Sequence, residues 1–234
     1  MRRFFGREVK GNVVIEDEEF NHLKNVLRMN VGDELVVCLG DENETFCQIE
    51  EIGKKSAKCK VIGSQKCEGN PKKNIVLFQA ITKKEKFEFI VQKATEIGIS
   101  KIVPFVSEHV IAKVTENKME RLKSIAMNAC KQCERSIMPE IAKCVKVNDV
   151  LEAFKDFDIV LFANERTDKG EKLSKLDKYK NIAIIVGSEG GFSQKEKEKF
   201  VEAGATSISL GKRIYRCETA SCVMMGLVSV LSGN

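Results

Sequence analysis

In the first seventy residues, apolar side chains recur at every second position over two segments. Leu35, Val37 and Leu39 follow a Gly32-Asp33 turn, and Ala57, Cys59 and Val61 are interleaved with Lys58 and Lys60. A period of two places successive side chains on opposite faces of a half-buried strand, and residues 46–52 supply another strand between these two. One helix interrupts the pattern over residues 18–29, where Phe20, Leu23, Val26 and Leu27 share a face. Residues 67–74, CEGNPKKN, concentrate turn-forming residues and mark a boundary. Beyond it the period changes. Apolar runs of strand length at residues 75–81, 102–106, 159–163 and 182–186 alternate with helical patterns at 83–97, where Phe87, Ile90, Val91, Ala94 and Ile97 share a face before Gly98, and at 116–133. That order predicts two domains, a small β-domain over 1–70 and an α/β domain over 74–234. The second should hold a mostly parallel sheet covered on both faces, with ligands at the carboxyl ends of its strands.

The richest stretch is NIAIIVGSEGGFSQKEKEKFVEAGATSISLGKRIYRCETASCVMM, residues 181–225. Its first apolar run feeds into Gly187-Ser188-Glu189-Gly190-Gly191, three glycines in five positions, where backbone must approach something closely. Ser193 with Glu196 has capping-box spacing and opens a helix ending at Gly204. A short strand over 206–210 runs into a second glycine turn at Gly211, followed by Arg213, Arg216, Glu218 and Thr219. Two glycine turns therefore leave two strand ends and can face one ligand. Neither GxGxxG nor GxxxxGK[ST] occurs, which removes the common dinucleotide and P-loop sites.

At 234 residues, 43% apolar and 31% charged, the composition is that of a globular protein, and the absence of a signal-like or membrane-length apolar segment predicts a cytoplasmic location with no membrane partner. Nine cysteines, an odd number, read as reduced thiols. Cys130-Lys131-Gln132-Cys133 has no second pair at a zinc-ribbon distance, so no metal is expected. The net charge of +5 suits a nucleic-acid partner; residues 1–73 hold thirteen basic against thirteen acidic residues, so the whole excess lies beyond them. No nucleophile elbow with a histidine and acid appears, so hydrolase chemistry has no support.

VGSEGGF at residues 186–192 together with LGKRIYRCETA at 210–220 resembles the paired signature of the RsmE family, ribosomal RNA uridine methyltransferases of the SPOUT superfamily. Ser188 stands where that family usually has proline, and Cys217 where it usually has threonine. The likeness extends along the chain: His22-Leu23-Lys24-Asn25-Val26-Leu27-Arg28 is similar to the family's H-x-x-x-V-L-R segment, residues 82–98 to its K-x-E-K-x-E and Q-K-x-x-E-L-G segments, and Gln132-Cys133-Glu134-Arg135 to its E-Q-C/S-x-R segment.

The resemblance implies a PUA-like β-barrel RNA-binding domain followed by a SPOUT α/β domain with a C-terminal trefoil knot. The implied activity is S-adenosyl-L-methionine-dependent methylation of ring nitrogen 3 of a uridine in 16S ribosomal RNA, presented as naked RNA or small ribosomal subunit. Gly187, Glu189, Gly190, Gly191, Leu210, Gly211, Ile214 and Thr219 are then the cofactor-binding candidates. Arg2, Arg3, His22, Arg28 and Arg135 are the RNA-binding candidates. Arg216 is the catalytic candidate for stabilising negative charge on the uracil, and Glu218 either accepts the imide proton or holds Arg216. A SPOUT enzyme with another RNA target such as tRNA, or a non-catalytic RNA-binding protein on the same fold, are the alternatives. The C-terminal helix is apolar nearly all round and needs cover on every face, which with the resemblance predicts a homodimer having Met224, Met225 or Val228 in the contact.

Overall fold

A computed structural model of the chain describes residues 1–109, 116–165 and 175–234. Two compact units divide it: residues 1–70 with 130–138, and residues 71–129 with 139–234.

The first unit holds β1 (Arg2–Phe5), β2 (Arg7–Val9), β3 (Asn12–Glu16), α1 (Asp17–Asn21), β4 (Glu34–Cys38), β5 (Asn43–Ile52) and β6 (Ser56–Lys66). They form one six-stranded sheet in the order β1-β4-β5-β6-β3-β2, with β1 parallel to β4 and the other pairs antiparallel. Phe4, Ile15, Leu23, Leu35, Val37, Ile49 and Ala57 fill its core, the inward set of the alternating pattern. The helix expected over 18–29 is shorter. α1 runs into a wide π-type turn, His22–Val26, closed by Leu27 N–H to His22 C=O at 2.9 Å. The extra residue in that turn keeps Phe20 and Leu23 inside but rotates Val26 out to solvent.

Residues 130–138 join this unit through specific hydrogen bonds. Asn70 Oδ1 accepts from the N–H groups of Ser136 and Ile137, both at 3.1 Å, and Ser136 Oγ donates to Asp41 C=O at 2.6 Å. Lys131 pairs with Glu19, both nearly buried. A side chain at Gly69 would collide with Glu134 C=O, so the close approach requires glycine there.

The second unit comprises β7 (Asn74–Ala80), α2 (Lys84–Ile97), β8 (Lys101–Val106), α3 (Glu116–Cys133, its last four residues in the first unit), β9 (Glu140–Ile141), β10 (Val145–Lys146), α4 (Val147–Glu152), β11 (Ile159–Ala163), β12 (Asn181–Val186), α5 (Gln194–Glu202), β13 (Thr206–Ile208) and α6 (Cys217–Ser232). The sheet order is β10-β8-β7-β12-β11-β13, with β9 beside β8 and every registered pair parallel. Strand pleat sends Ile75, Leu77, Ile182 and Ile184 to one face, where α2, α3 and α6 pack, and Val76, Phe78, Ala183 and Ile185 to the other, where α4 and α5 pack. The central strand β12 is therefore apolar on both sides, which is why it reads as an unbroken run. Met224, Met225 and Val228 of α6 lie wholly inside this first face. They are covered by their own chain, so the expectation that they form a subunit contact is corrected.

Candidate active site

The glycine turn leaves the carboxyl end of β12 and closes on itself. Gly191 N–H donates to Ser188 C=O at 3.0 Å, and Gly191 has φ +65°, a left-handed value that favours glycine. A Cβ on Gly187 would lie 3.3 Å from the Gly191 backbone, so the two limbs touch without intervening side chains. Phe192 then anchors the turn, stacking on Phe105 and meeting Phe200 edge to face at 5.1 Å. Ser193 caps α5 as expected: its Oγ accepts from Glu196 N–H at 3.2 Å, and Glu196 Oε2 accepts from Ser193 N–H at 2.9 Å. Glu196 Oε1 also accepts from Glu108 N–H at 2.9 Å, fixing the segment after β8 beside the turn.

Both glycine turns open on one cavity of about 320 Å³. Of the expected cofactor residues, Gly187, Glu189, Gly191, Leu210, Gly211 and Ile214 line it; Gly190 and Thr219 do not. A Cβ on Gly190 would press against His109 Cβ at 3.0 Å, and Thr219 is exposed on α6. Gly190 thus serves the packing of a neighbouring segment, where cofactor contact was expected. Arg216, the N-cap position of α6, lines the cavity, and no ion pair occupies it among the described residues.

Glu218 does not hold Arg216. Its Oε2 lies 3.3 Å from Lys86 Nζ of α2 and accepts from the Cys217 thiol at 3.1 Å. Desolvation pushes the Glu218 pKa up, but its own backbone N–H, the Cys217 thiol and Lys86 outweigh it and hold the carboxyl below its ordinary value. Glu189 behaves alike: desolvation raises, while its own and the Lys83 backbone N–H groups and Lys86 lower it further. Burial pushes the Cys217 thiol up to about 12, so it is a neutral donor here. Lys86, Asn164, Glu165, Lys197 and Tyr215 complete the wall and had not been marked as site residues. Asn164 and Glu165 follow β11 directly, so the strand-end rule alone points to them.

In the first unit, Arg2 and Arg28 are exposed and His22 is half-buried against the Phe4 ring at 5.9 Å. Arg3 is engaged with Glu44 at 2.8 Å, both side chains almost buried. Arg135 is 1% exposed. These two arginines are structural, which corrects their reading as RNA contacts; a guanidinium enclosed by its own fold presents no surface to a phosphate or base. No three-residue metal-ligating group occurs among the described residues, and no helix there is long and apolar enough to cross a membrane.

A parallel sheet whose strand ends carry two facing glycine turns, in a chain that also holds a strand-rich unit, is the organisation that two family models match: an RNA methyltransferase domain over residues 68–229 and an RNA methyltransferase PUA domain over 15–62. The ribosomal RNA small subunit methyltransferase E of Mesomycoplasma hyopneumoniae (strain 232) is 34% identical, the alignment covering 96% of this chain and 97% of that one; the protein of the same name from Bacillus subtilis (strain 168) is 30% identical over 92% and 88%. Among solved structures, a ribosomal RNA small subunit methyltransferase E from Neisseria gonorrhoeae bound to S-adenosyl methionine superposes with a TM-score of 0.88 at 25% identity, covering 99% of this chain and 98% of that one. A putative methyltransferase from Legionella pneumophila, in complex with the bound cofactor SAM, gives 0.85 at 28%, covering 97% and 96%. The chain belongs to the ribosomal RNA small subunit methyltransferase E family.

Proposed function

We propose that this chain methylates ring nitrogen 3 of a uridine in 16S ribosomal RNA with S-adenosyl-L-methionine as donor. The observation that carries the reading is the single cavity shared by the two glycine turns, since their bare backbone offers N–H and C=O groups to an adenosyl moiety at a distance a side chain would deny. The donor, when bound, supplies a sulfonium methyl group. Arg216 presents to the same cavity a guanidinium with no ion pair among the described residues, and stabilises the charge that spreads over the uracil oxygens once the imide proton has passed to solvent; methyl transfer to nitrogen 3 then releases the donor as its thioether. Glu218, with its pKa depressed, is a weak proton acceptor and serves as a positioning group. Isothermal titration with S-adenosylmethionine tests the cofactor; mapping the methylated nucleotide in ribosomal RNA from cells lacking the protein tests the substrate. Absence of cofactor binding would overturn the reading.

The family's organisation extends this proposal to a PUA-like RNA-binding domain over 1–70, a SPOUT domain with a trefoil knot over 74–234, a cytoplasmic location and a homodimer. Arg2, His22 and Arg28 remain the RNA-contact candidates, with the small ribosomal subunit or its RNA as partner. For the dimer, α6 leaves Leu227 42% and Val230 79% exposed, an apolar strip on the side opposite its buried methionines. Sedimentation equilibrium at micromolar concentration should show twice the 26.2 kDa chain mass. Leu227→Glu with Val230→Glu should return it to the monomer.

A further inference from the structure

Lys86 Nζ lies 3.4 Å from Glu189 Oε1 and 3.3 Å from Glu218 Oε2. One carboxylate belongs to the first glycine turn, the other to the first turn of α6, and the lysine comes from a third element, α2. The same helix start adds a second tie, because Lys83 N–H donates to Glu189 Oε1 at 3.2 Å. The two distances keep the facing carboxylate oxygens within about 7 Å of each other, a separation at which like charges repel appreciably in a partly desolvated site.

We propose that Lys86 is a positioning residue of the methyl-transfer site: standing between Glu189 and Glu218, it holds the glycine turn against the start of α6 in the geometry that takes S-adenosylmethionine. The inference rests on the cofactor reading above. Without the cation, the pair relieves its repulsion either by moving the turn off the helix or by taking up a proton. No other base replaces it: Arg213, Arg216 and Lys197 line the cavity, but among the described residues none pairs with either carboxylate. Glu165, whose Oε1 lies close to Gly191, adds negative charge, and the Cys217 and Cys222 thiols on α6 are neutral, their pKa values raised by burial.

The pH dependence follows from the signs. Desolvation lowers the Lys86 pKa, but the Glu218 and Glu189 carboxylates beside it raise it, and the net direction is up from 10.5. Its contribution is therefore complete below that value and is lost only as pH rises through the higher folded one. Both carboxylates are shifted down from 4.5, so theirs is complete above that value and lost as pH falls below it. The wild-type pair should thus be insensitive to pH between about 5 and 8. In Lys86→Met the lost cation and the remaining like charges push the carboxylate pKa values up.

The experiment measures S-adenosylmethionine affinity by calorimetry and melting of the cofactor-free protein, each at about pH 8 and about pH 5. Lys86→Met should bind on the order of 10-fold more weakly than wild type at the higher pH and melt lower, with both deficits shrinking at the lower pH. Lys86→Arg should behave like wild type, and Glu189→Gln added to Lys86→Met should recover part of the loss at the higher pH. Wild-type behaviour of Lys86→Met, deficits of equal size at both pH values, or no rescue by Lys86→Arg would each overturn the assignment. Should wild-type protein bind no S-adenosylmethionine, the cofactor reading fails, and the cofactor-free melting series still decides the role of Lys86.

Discussion

Ser221 donates its hydroxyl to Gln79 Oε1 at 2.7 Å, and both side chains are completely buried. Gln79 in turn donates through Nε2 to Gly187 C=O at 3.1 Å. α6 is thereby connected through one β7 side chain to the root of the glycine turn. Ser221→Ala removes the donor and leaves a buried amide oxygen without it, which should cost about 1–3 kcal/mol in urea unfolding. Because the same amide grips the turn, cofactor affinity should fall in parallel. A stability loss with unchanged affinity would show that the turn holds its shape without Gln79.

The glycines of the first turn should separate by role. Gly187→Ala places a Cβ at 3.3 Å from the Gly191 backbone, so the turn must shift by a few tenths of an ångström; cofactor affinity should drop about 10-fold with the fold retained. Gly190→Val pushes on His109 instead, and its effect should register mainly as lost stability. Calorimetry and thermal melting of the two variants, read side by side, distinguish the positions.

Arg216→Ala should lower turnover by about 10² to 10³ with little change in cofactor affinity, as expected of a group that meets charge present only in the transition state. Single-turnover methylation of RNA paired with calorimetry measures both quantities. A loss confined to cofactor binding would make Arg216 a wall of the pocket.

The thiols offer a test that needs no substrate. Six of the nine cysteines are buried, and burial drives Cys47 to about 11 and Cys59, Cys130 and Cys217 to about 12. At about pH 8 those four are overwhelmingly protonated, and all six buried thiols are shielded, so Ellman's reagent should reach no more than Cys133, Cys144 and Cys222 in the native protein. Under denaturing conditions all nine should react.

Periodicity located the elements that pack by rule. The long strands β7, β8, β11 and β12 are apolar on both faces, and α2 carries one clear apolar face, so their signals survive without tertiary context. β1, β2 and β3 are short; their strand state is decided by pairing of β1 with β4, of β3 with β6 and of β2 with β3, which local pattern does not encode. Nor does any change of composition mark residues 130–138 as belonging with the first unit, since the ties are single hydrogen bonds from Asn70, Ser136 and Lys131. The places of Gly187, Gly191, Gly211 and Arg216 on the cavity wall were legible because bare backbone and a helix start are local features, whereas Gly190 turned to His109. Lys86 was not: a lysine in the first turn of a helix reads as solvated surface until the fold brings two carboxylates from residues 189 and 218 to it. Arg3 and Arg135 failed in the opposite direction, as charge that looks available in a string can be enclosed by its own fold.

The pairing of β12 with β7 joins Asn181 to Asn74 and Val186 to Gln79 across more than one hundred residues of chain. Strands so distant in sequence meet only after a large loop-closure entropy has been overcome, and parallel pairing offers no hairpin to ease it. During synthesis, β7, α2 and β8 leave the ribosome well before the strand that completes the middle of their sheet, and their apolar faces stay open for that interval. The glycine turn, rooted in that late strand, is therefore among the last parts of the molecule to acquire its shape, and the ligand it holds can reward folding only after the sheet has closed.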